Sequence, residues 1–364
     1  MPRFTIGIPT YNRAKFLPRA IECALSQTWP DVEVIVSDNA STDATPEIVR
    51  SYGDRVRYHR NETNLGPIAN FSLLPDLASG DYFSWLQDDD LLHKDFVRRA
   101  VEALESDEDI VMYTAYNVDS HSYDTFVLPY IYGPPVRMDW MRSESQVLSG
   151  MVVVPVSFFA TFSMPPVTAY RTKVIRRAIK HFDTECLLYN ERIVQAWAVF
   201  EGKIVVDPWA AGIFFKHAQQ ASRLGGSLDV EIRSREWVRC CDTLSGLLEQ
   251  MPETVWKPIL TDWIASLSEY DRLFILNNYL PPPKYWSQGH QLTERICNEF
   301  LNAFSSDEKI AFLAKYPPSH LTETKSLRAV FKNVCRSLAP PIAWEAMSSM
   351  NDALLRKSSN SHKA

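Results

Sequence analysis

Three consecutive carboxylates, Asp88-Asp89-Asp90, follow the aromatic run Tyr82-Phe83-Ser84-Trp85-Leu86. Like charges this close repel one another unless a cation sits among them, and hard carboxylate oxygens suit Mg²⁺ or Mn²⁺. Aromatic residues favour a strand, and Gly80 punctuates its start. The carboxylates therefore stand at the carboxyl end of an expected strand, where open α/β sheets bind ligands. The same three residues could instead cap the helix expected after Leu91-Leu92. This stretch alone does not decide between the two.

The elements that must hold such a site read as strand and helix in alternation. Phe4 to Pro9 is a strand, Thr10 to Arg13 a polar loop, and Phe16, Leu17, Ile21, Ala24 and Leu25 recur at helical spacing. Val32 to Val36 is a second strand. It ends in Ser37-Asp38-Asn39-Ala40-Ser41-Thr42-Asp43, a run of cap and turn formers that opens a helix through Ile48. A third strand at Val56 to Tyr58, a loop from Asn61 to Gly66 and a helix from Ile68 to Leu77 precede the Tyr82 strand. After the carboxylates come a helix from about Lys94 to Leu104 and a strand from Ile110 to Tyr113. This rhythm means a parallel, doubly wound sheet. Right-handed crossovers bring the Thr10, Asp38 and Asp88 loops to one crevice. The apolar stretch Met151 to Ala160, broken by Pro155, fits a buried strand, and the pattern is helical after about Val230. Pro281-Pro282-Pro283, Pro317-Pro318 and Pro340-Pro341 mark breaks in it.

Composition narrows the function. The 364 residues suffice for one large domain with an appendage, or for two domains. A formal net charge of -6 argues against nucleic acid as the main partner but leaves a nucleotide possible, since a metal can supply local positive charge. The six cysteines show neither CxxC pairs nor metal-type spacing, which suggests a reducing, cytoplasmic setting. Met1-Pro2-Arg3 leads straight into a strand pattern, without the pattern of a signal peptide. No apolar run reaches membrane-spanning length. Neither a GxGxxG nor a GxxxxGK(S/T) element follows the first strand, which disfavours nicotinamide, flavin and P-loop chemistry.

Gly7 to Arg13, Ile35 to Asp43, Asn64-Leu65-Gly66 with Ala69-Asn70, Gly80-Asp81-Tyr82 and Asp88 to Asp90 occur in this order. Together, over roughly Phe4 to Ser222, they resemble the inverting family 2 glycosyltransferases of the GT-A fold. The resemblance implies a Rossmann-like, doubly wound, mostly parallel sheet in a catalytic domain over residues 1–228. Its nucleotide-sugar half would be 1–119 and its acceptor half 120–228, with a helical C-terminal extension over 229–364. It implies a metal-dependent enzyme that moves a sugar from a nucleoside-diphosphate donor, UDP-linked by expectation, to a glycan or lipid-linked saccharide acceptor. The alternatives are a non-catalytic nucleotide- or glycan-binding homologue and a sugar-phosphate nucleotidyltransferase. The latter would want a Gly-rich basic loop where Pro9-Thr10-Tyr11-Asn12 stands.

By the same resemblance, the Pro9-Thr10 loop and Asp38 hold the nucleoside, with Asp38 accepting the uracil N3–H. Tyr11 would stack on the base, Arg13 would pair with a phosphate, and Asn64 and Gly66 would shape the loop near the ribose. Asp88 would lean toward the ribose or sugar and Asp90 toward the metal, with Asp89 a second contact or a cap; Ser41 and Asp43 read as cap residues. The expected catalytic base is Glu191, in an Asn190-Glu191 pair where the family shows Glu-Asp; Asp183, Glu185 or a merely exposed helix carboxylate are the alternatives. His217 would be a further ligand of Mn²⁺ or Mg²⁺ or a contact to the diphosphate, with Lys216 supplying charge. Ser222-Arg223 and Gly225-Gly226 would close over the donor. Tyr132, Trp140, Phe158, Phe159 and Phe162 supply aromatic faces that suit a sugar ring or the core, and no single one is assigned to the acceptor. The basic, amphipathic pattern from Lys325 to Lys357 suits an anionic membrane surface or a helix packed on the catalytic domain.

Overall fold

The computed structural model describes residues 1–120, 144–157, 166–186, 189–215, 230–267, 280, 283–286, 289–302 and 304–305. The first elements are β1 (Phe4–Thr10), α1 (Leu17–Leu25), β2 (Val32–Asp38), α2 (Thr45–Ser51), β3 (Arg57–Arg60), α3 (Pro67–Ser72), α4 (Leu74–Leu77) and β4 (Tyr82–Trp85). They are followed by β5 (Leu91–Leu92), α5 (Phe96–Glu105), β6 (Ile110–Ser120), β7 (Gln146–Ser149), α6 (Gly150–Val156), β8 (Thr168–Arg171), α7 (Thr172–Ala178), α8 (Asn190–Phe200) and β9 (Lys203–Phe215). The helices α9 (Val230–Leu248), α10 (Glu253–Ser266), α11 (Pro283–Trp286) and α12 (Gln291–Asn302) complete the described chain.

Among the described residues nine strands form one sheet in the order β3-β2-β1-β4-β8-β6-β9-β5, with β7 also on β9. β1 pairs in parallel with β2 and β4, as do β2 with β3 and β6 with β9. β8 runs antiparallel to both β4 and β6, so those two strands point the same way. The sheet is thus mixed but mostly parallel, as expected. β1 is buried on both faces, because helices cover the sheet on either side. From α1, Leu17, Ala20, Ile21, Cys23 and Ala24 pack on it; from α5, Phe96, Val97, Ala100, Val101 and Leu104 do the same. β1 leads toward β2 on one side and lies beside β4 on the other, so the ends of β1, β2 and β4 border the crevice where strand order reverses.

Four local expectations change. The Met151 stretch is not a strand: its described part, Met151 to Ser157, is helical in α6 up to Val156. A short apolar run fits a buried helix as well as a strand. Here the Ser149 hydroxyl accepts the Met151 N–H at 3.2 Å, and Gly150 lets the helix start lie directly on the end of α8. A Cβ at Gly150 would sit 1.8 Å from the Val199 carbonyl oxygen. The helix expected from Ile68 to Leu77 is two short ones, α4 opening with Pro75 in its first turn. The helix after Asp38 starts only at Thr45. Leu91-Leu92 is a strand on Ile213 and Gly212, and α5 begins later, behind Asp95. Asp88, Asp89 and Asp90 are therefore not a helix cap.

The chain divides into two compact units, residues 1–260 and 261–364. α9, which lies beyond the sequence boundary expected between 228 and 229, packs on α6 and α8 within the first unit. In the second unit α12 buries Leu292, Ile296, Cys297, Phe300 and Leu301 along one stripe. Among the described residues no helix is long and apolar enough to cross a membrane.

Candidate active site

The site is built where β1, β2 and β4 end. Thr10, the last residue of β1, donates its hydroxyl to Asp88 Oδ2 at 2.7 Å, and the Tyr11 backbone N–H reaches the same carboxylate. Arg13 Nη1 lies 3.9 Å from Asp89 Oδ2. Burial first, and then the charge of Asp89, pushes the Asp88 carboxyl up to about 7, against the pull of Thr10, Arg13 and Tyr11. Asp90 is 1% exposed, and its Oδ1 accepts the Phe215 N–H at 3.0 Å, at the end of β9. Among the described residues no group of three or more His, Cys, Asp and Glu is arranged to enclose a metal by itself. Even so, the donor set fits Mg²⁺ or Mn²⁺: the carboxylate oxygens are hard and clustered, and the neighbouring Asp89 charge adds to burial in raising Asp88.

Asp38 ends β2 and is fully buried. Its Oδ1 accepts the Ser41 N–H at 2.8 Å, and its Oδ2 accepts the Tyr58 hydroxyl at 2.6 Å and Arg60 Nε at 3.2 Å. The carboxylate is thus locked in orientation by three donors. Ser41 and Asp43 do more than cap a helix. Ser41 Oγ accepts the Asn12 N–H, and Asp43 accepts Ala14 N–H with one oxygen and Thr45 N–H with the other. Asn12, at φ 53°, returns its Oδ1 to the Thr42 N–H. The Thr10 and Asp38 loops are therefore stitched to each other, and Tyr11 stays 42% exposed on their surface.

The Asn64-Leu65-Gly66 loop is held by a net of amides. Asn39 Nδ2 donates to Asn64 Oδ1 and to the Gly66 carbonyl, while Asn39 Oδ1 accepts from Asn61 Nδ2 and the Leu65 N–H. Asn70 Oδ1 in turn accepts from Ser37 and Asn61. Gly66 turns the chain into α3 at φ 85°, a conformation that a side chain would strain. Asn39, Asn61, Asn70, Tyr58 and Arg60 are residues that the sequence reading did not assign. Asn39 and Asn70 stood inside the quoted motifs, and Tyr58 and Arg60 share one face of β3 by their spacing of two.

Glu191 lies in the first turn of α8, half-buried, with Phe71, Trp85, Tyr170, Phe182 and Val194 lining a small cavity beside it. Burial pushes its carboxyl up to about 7, in spite of its own backbone N–H and the Arg192 cation. A carboxyl poised there suits general-base work near neutrality. The alternatives are engaged elsewhere. Arg239 donates to both Asp183 oxygens, at 2.7 and 2.8 Å, and holds that carboxyl below its ordinary range. Glu185 pairs with the same arginine at 2.9 Å and is exposed.

The structure thus joins Thr10, Arg13, Asp88 and Asp89 by direct contact, and joins Asp38, Asn64 and Gly66 to them through Asn39, whose N–H bonds the Thr10 carbonyl. Pro9 stands in register with Ser37 in the same corner. Trp85, three residues before Asp88, borders the Glu191 cavity. His217, Lys216, the Ser222 to Gly226 segment, the acceptor aromatics Tyr132, Trp140, Phe158, Phe159 and Phe162, and the basic segment Lys325 to Lys357 lie outside the described residues.

Comparison with known proteins gives this geometry a context. The family model described as Glycosyl transferase family 2 matches residues 5–167. An abequosyltransferase of Salmonella typhimurium is 39% identical over 111 residues, 29% of this chain and 33% of the relative. A GalNAc(5)-diNAcBac-PP-undecaprenol beta-1,3-glucosyltransferase of Campylobacter jejuni is 38% identical over 96 residues, 25% of this chain and 31% of the relative. An uncharacterised glycosyltransferase of Rickettsia typhi is 33% identical over 129 residues, 34% and 40% respectively. The chain thus spans under half the length of these curated relatives. Among solved structures, S. aureus TarS 1-349 in complex with UDP-GlcNAc superposes with a TM-score of 0.58 over 86% of this chain and 92% of that one, at 14% identity. At that identity the likeness speaks for the fold.

Proposed function

We propose, from the premise that this chain belongs to glycosyl transferase family 2 and has the GT-A fold, that it transfers a sugar from a nucleoside-diphosphate donor, UDP-linked, to a hydroxyl of a glycan or lipid-linked saccharide. The observation that carries the reading is the convergence of Asp38, the Thr10 loop and Asp88 to Asp90 at the ends of β2, β1 and β4.

Asp38 is an acceptor-only group of fixed orientation. An imide N–H such as that of uracil complements it, whereas cytosine offers no N–H at the equivalent ring nitrogen. Tyr11 supplies an exposed ring for the base, and Arg13 a cation for a phosphate. Asp90, with Asp88 or Asp89, would hold Mg²⁺ or Mn²⁺, and His217 would join them: Asp90 is bonded to the backbone only two residues before it. When bound, such a cation neutralises charge on the departing diphosphate. Glu191 takes the proton of the acceptor hydroxyl as that oxygen bonds to the anomeric carbon and the bond from that carbon to the diphosphate oxygen breaks. This single displacement inverts the sugar. The Campylobacter relative's name includes a polyprenol diphosphate, which favours a lipid-linked acceptor; the basic Lys325 to Lys357 segment would then meet an anionic membrane on its cytoplasmic face.

The test is a thermal-shift panel of UDP, GDP, dTDP and CMP, each with Mn²⁺ and with EDTA. A ligand that binds only the folded chain raises the melting temperature by mass action. A rise with UDP that vanishes in EDTA and in Asp90→Ala is expected. Indifference to every nucleotide would sink the proposal.

A further inference from the structure

The cavity beside Glu191 is not an isolated apolar hole. The Phe71 ring stacks on Trp85 at 4.6 Å and 16°, and Trp85 Nε1 donates to the Phe71 carbonyl at 3.0 Å. Phe71 also meets Phe182 at 6.3 Å, and Trp85 meets Tyr170 edge-on at 5.9 Å. Each ring is tied to a different part of the site. Phe71 belongs to α3, which starts directly after the Asn64-Leu65-Gly66 loop. Trp85 ends β4, three residues before Asp88. Phe182 precedes Asp183, whose N–H donates to Asn190 Oδ1, while Asn190 Nδ2 donates back to the Asp183 carbonyl. Asn190 is the neighbour of Glu191.

We propose that Phe71 is a positioning residue for proton transfer: clamped on Trp85 and against Phe182, it closes the apolar wall beside Glu191 and links that carboxyl to the donor-side Asn64–Gly66 loop. The inference rests on the reading of Glu191 as the base. The ring excludes water from one side of the carboxyl, which favours the protonated form and makes the anion a stronger proton acceptor. The other groups around Glu191 do not replace this wall. Tyr170 on β8 and Cys240 on α9 interact with it electrostatically, as does Arg192 beside it. α6 carries no ionisable side chain. Arg176 and Arg177 of α7 bind the Pro75 and Ala78 carbonyls and Glu201. Asp183 is paired with Arg239, Lys203 of β9 with Asp107, and Tyr113 of β6 with Asp207.

The test follows the Glu191 carboxyl directly, by NMR titration of the full chain carrying ¹³C-labelled glutamate, with Glu191→Gln used to assign the signal. Phe71→Ala, and Phe71→Leu as a variant that keeps apolar bulk, are compared with the parent, and each is checked for an intact melt. The Glu191 midpoint is expected to fall by about one pH unit in Phe71→Ala and by less in Phe71→Leu, as water reaches the carboxyl. An unchanged midpoint in both folded variants overturns the inference and leaves the base reading standing. Turnover of UDP-GlcNAc, with water or an added saccharide as acceptor, is read separately in Glu191→Gln. Retention of the parent rate there overturns the base reading, and with it any catalytic meaning for Phe71.

Discussion

At the scale of residues, the site buries carboxyl groups, and burial outweighs the cations the fold places near them. Asp88 and Glu191 both sit at about 7 where ordinary values are 3.8 and 4.5. The native chain therefore binds these protons more tightly than the unfolded chain does. The stability each contributes is fully present below its unfolded value and is lost as pH rises through the native one. The melting temperature of the metal-free protein should accordingly fall between about pH 4 and pH 7, and Asp88→Asn and Glu191→Gln should each flatten that fall. Mn²⁺ added at the alkaline end should recover part of it in the parent but not in Asp88→Asn. A flat profile shared by all three chains would contradict these assignments. Thr10→Val removes the hydroxyl that steadies the Asp88 anion. It should weaken Mn²⁺ binding, measured by calorimetry, about tenfold, and should also lower the stability of the metal-free chain by about 1–3 kcal/mol, since a buried carboxyl loses a donor. The placing of Thr10, Asp38 and Asp88 at strand ends was readable from sequence, because each follows an apolar run; the roles expected of them came from the family resemblance. What they bond to was not. The three donors on Asp38 include Tyr58 and Arg60 of another strand, and only a fixed register of β2 on β3 brings them there.

Elements explain how a row of carboxylates is held still. The turn after Asp90 is clasped from behind by α1. The Cys23 thiol donates to the Leu92 carbonyl at 2.6 Å and accepts the Leu92 N–H at 2.9 Å. Gln27 donates to the His93 carbonyl and accepts the Val97 N–H. Burial pushes the Cys23 thiol up to about 12, so it serves as a hydrogen-bonding group and not as a nucleophile. Cys23→Ala should cost about 1–3 kcal/mol, since two buried backbone groups lose their partner; Cys23→Ser should cost less, and urea melts decide between them. The seat of Glu191 depends in the same way on α6 and α8. Gly150→Ala should destabilise by about 1–3 kcal/mol or misplace α8, because its methyl would meet Val199. A substitution that leaves the urea midpoint unchanged would refute that packing. Strand and helix alternation was legible as far as Tyr113 because short, mostly apolar strands buried on both faces alternate with helices such as α1 and α5 that bury one stripe. The Met151 run was misread because α6 is buried on α8 and shows no period to tell helix from strand.

For the whole molecule, the rhythm of the first half was enough to foresee the sheet and the crevice at the ends of β1, β2 and β4. It could not foresee that β8 runs antiparallel between β4 and β6, nor the long β9 that closes the far side. Those pairings join residues far apart in sequence, and no local pattern announces them. The distances along the chain also differ across the site. Asp38 finds Ser41, Tyr58 and Arg60 within 22 residues, Thr10 meets Asp88 across 78, and Asp90 meets Phe215 across 125. A chain leaving the ribosome can therefore complete the corner around Asp38 while β8 and β9 are still unmade. Asp90 and the Leu91-Leu92 strand must wait until β9 has been synthesised. The Asp90 end of the crevice is thus the last part to set, and a chain that stops short of Phe215 would carry the Asp38 corner without the finished clasp on Asp90.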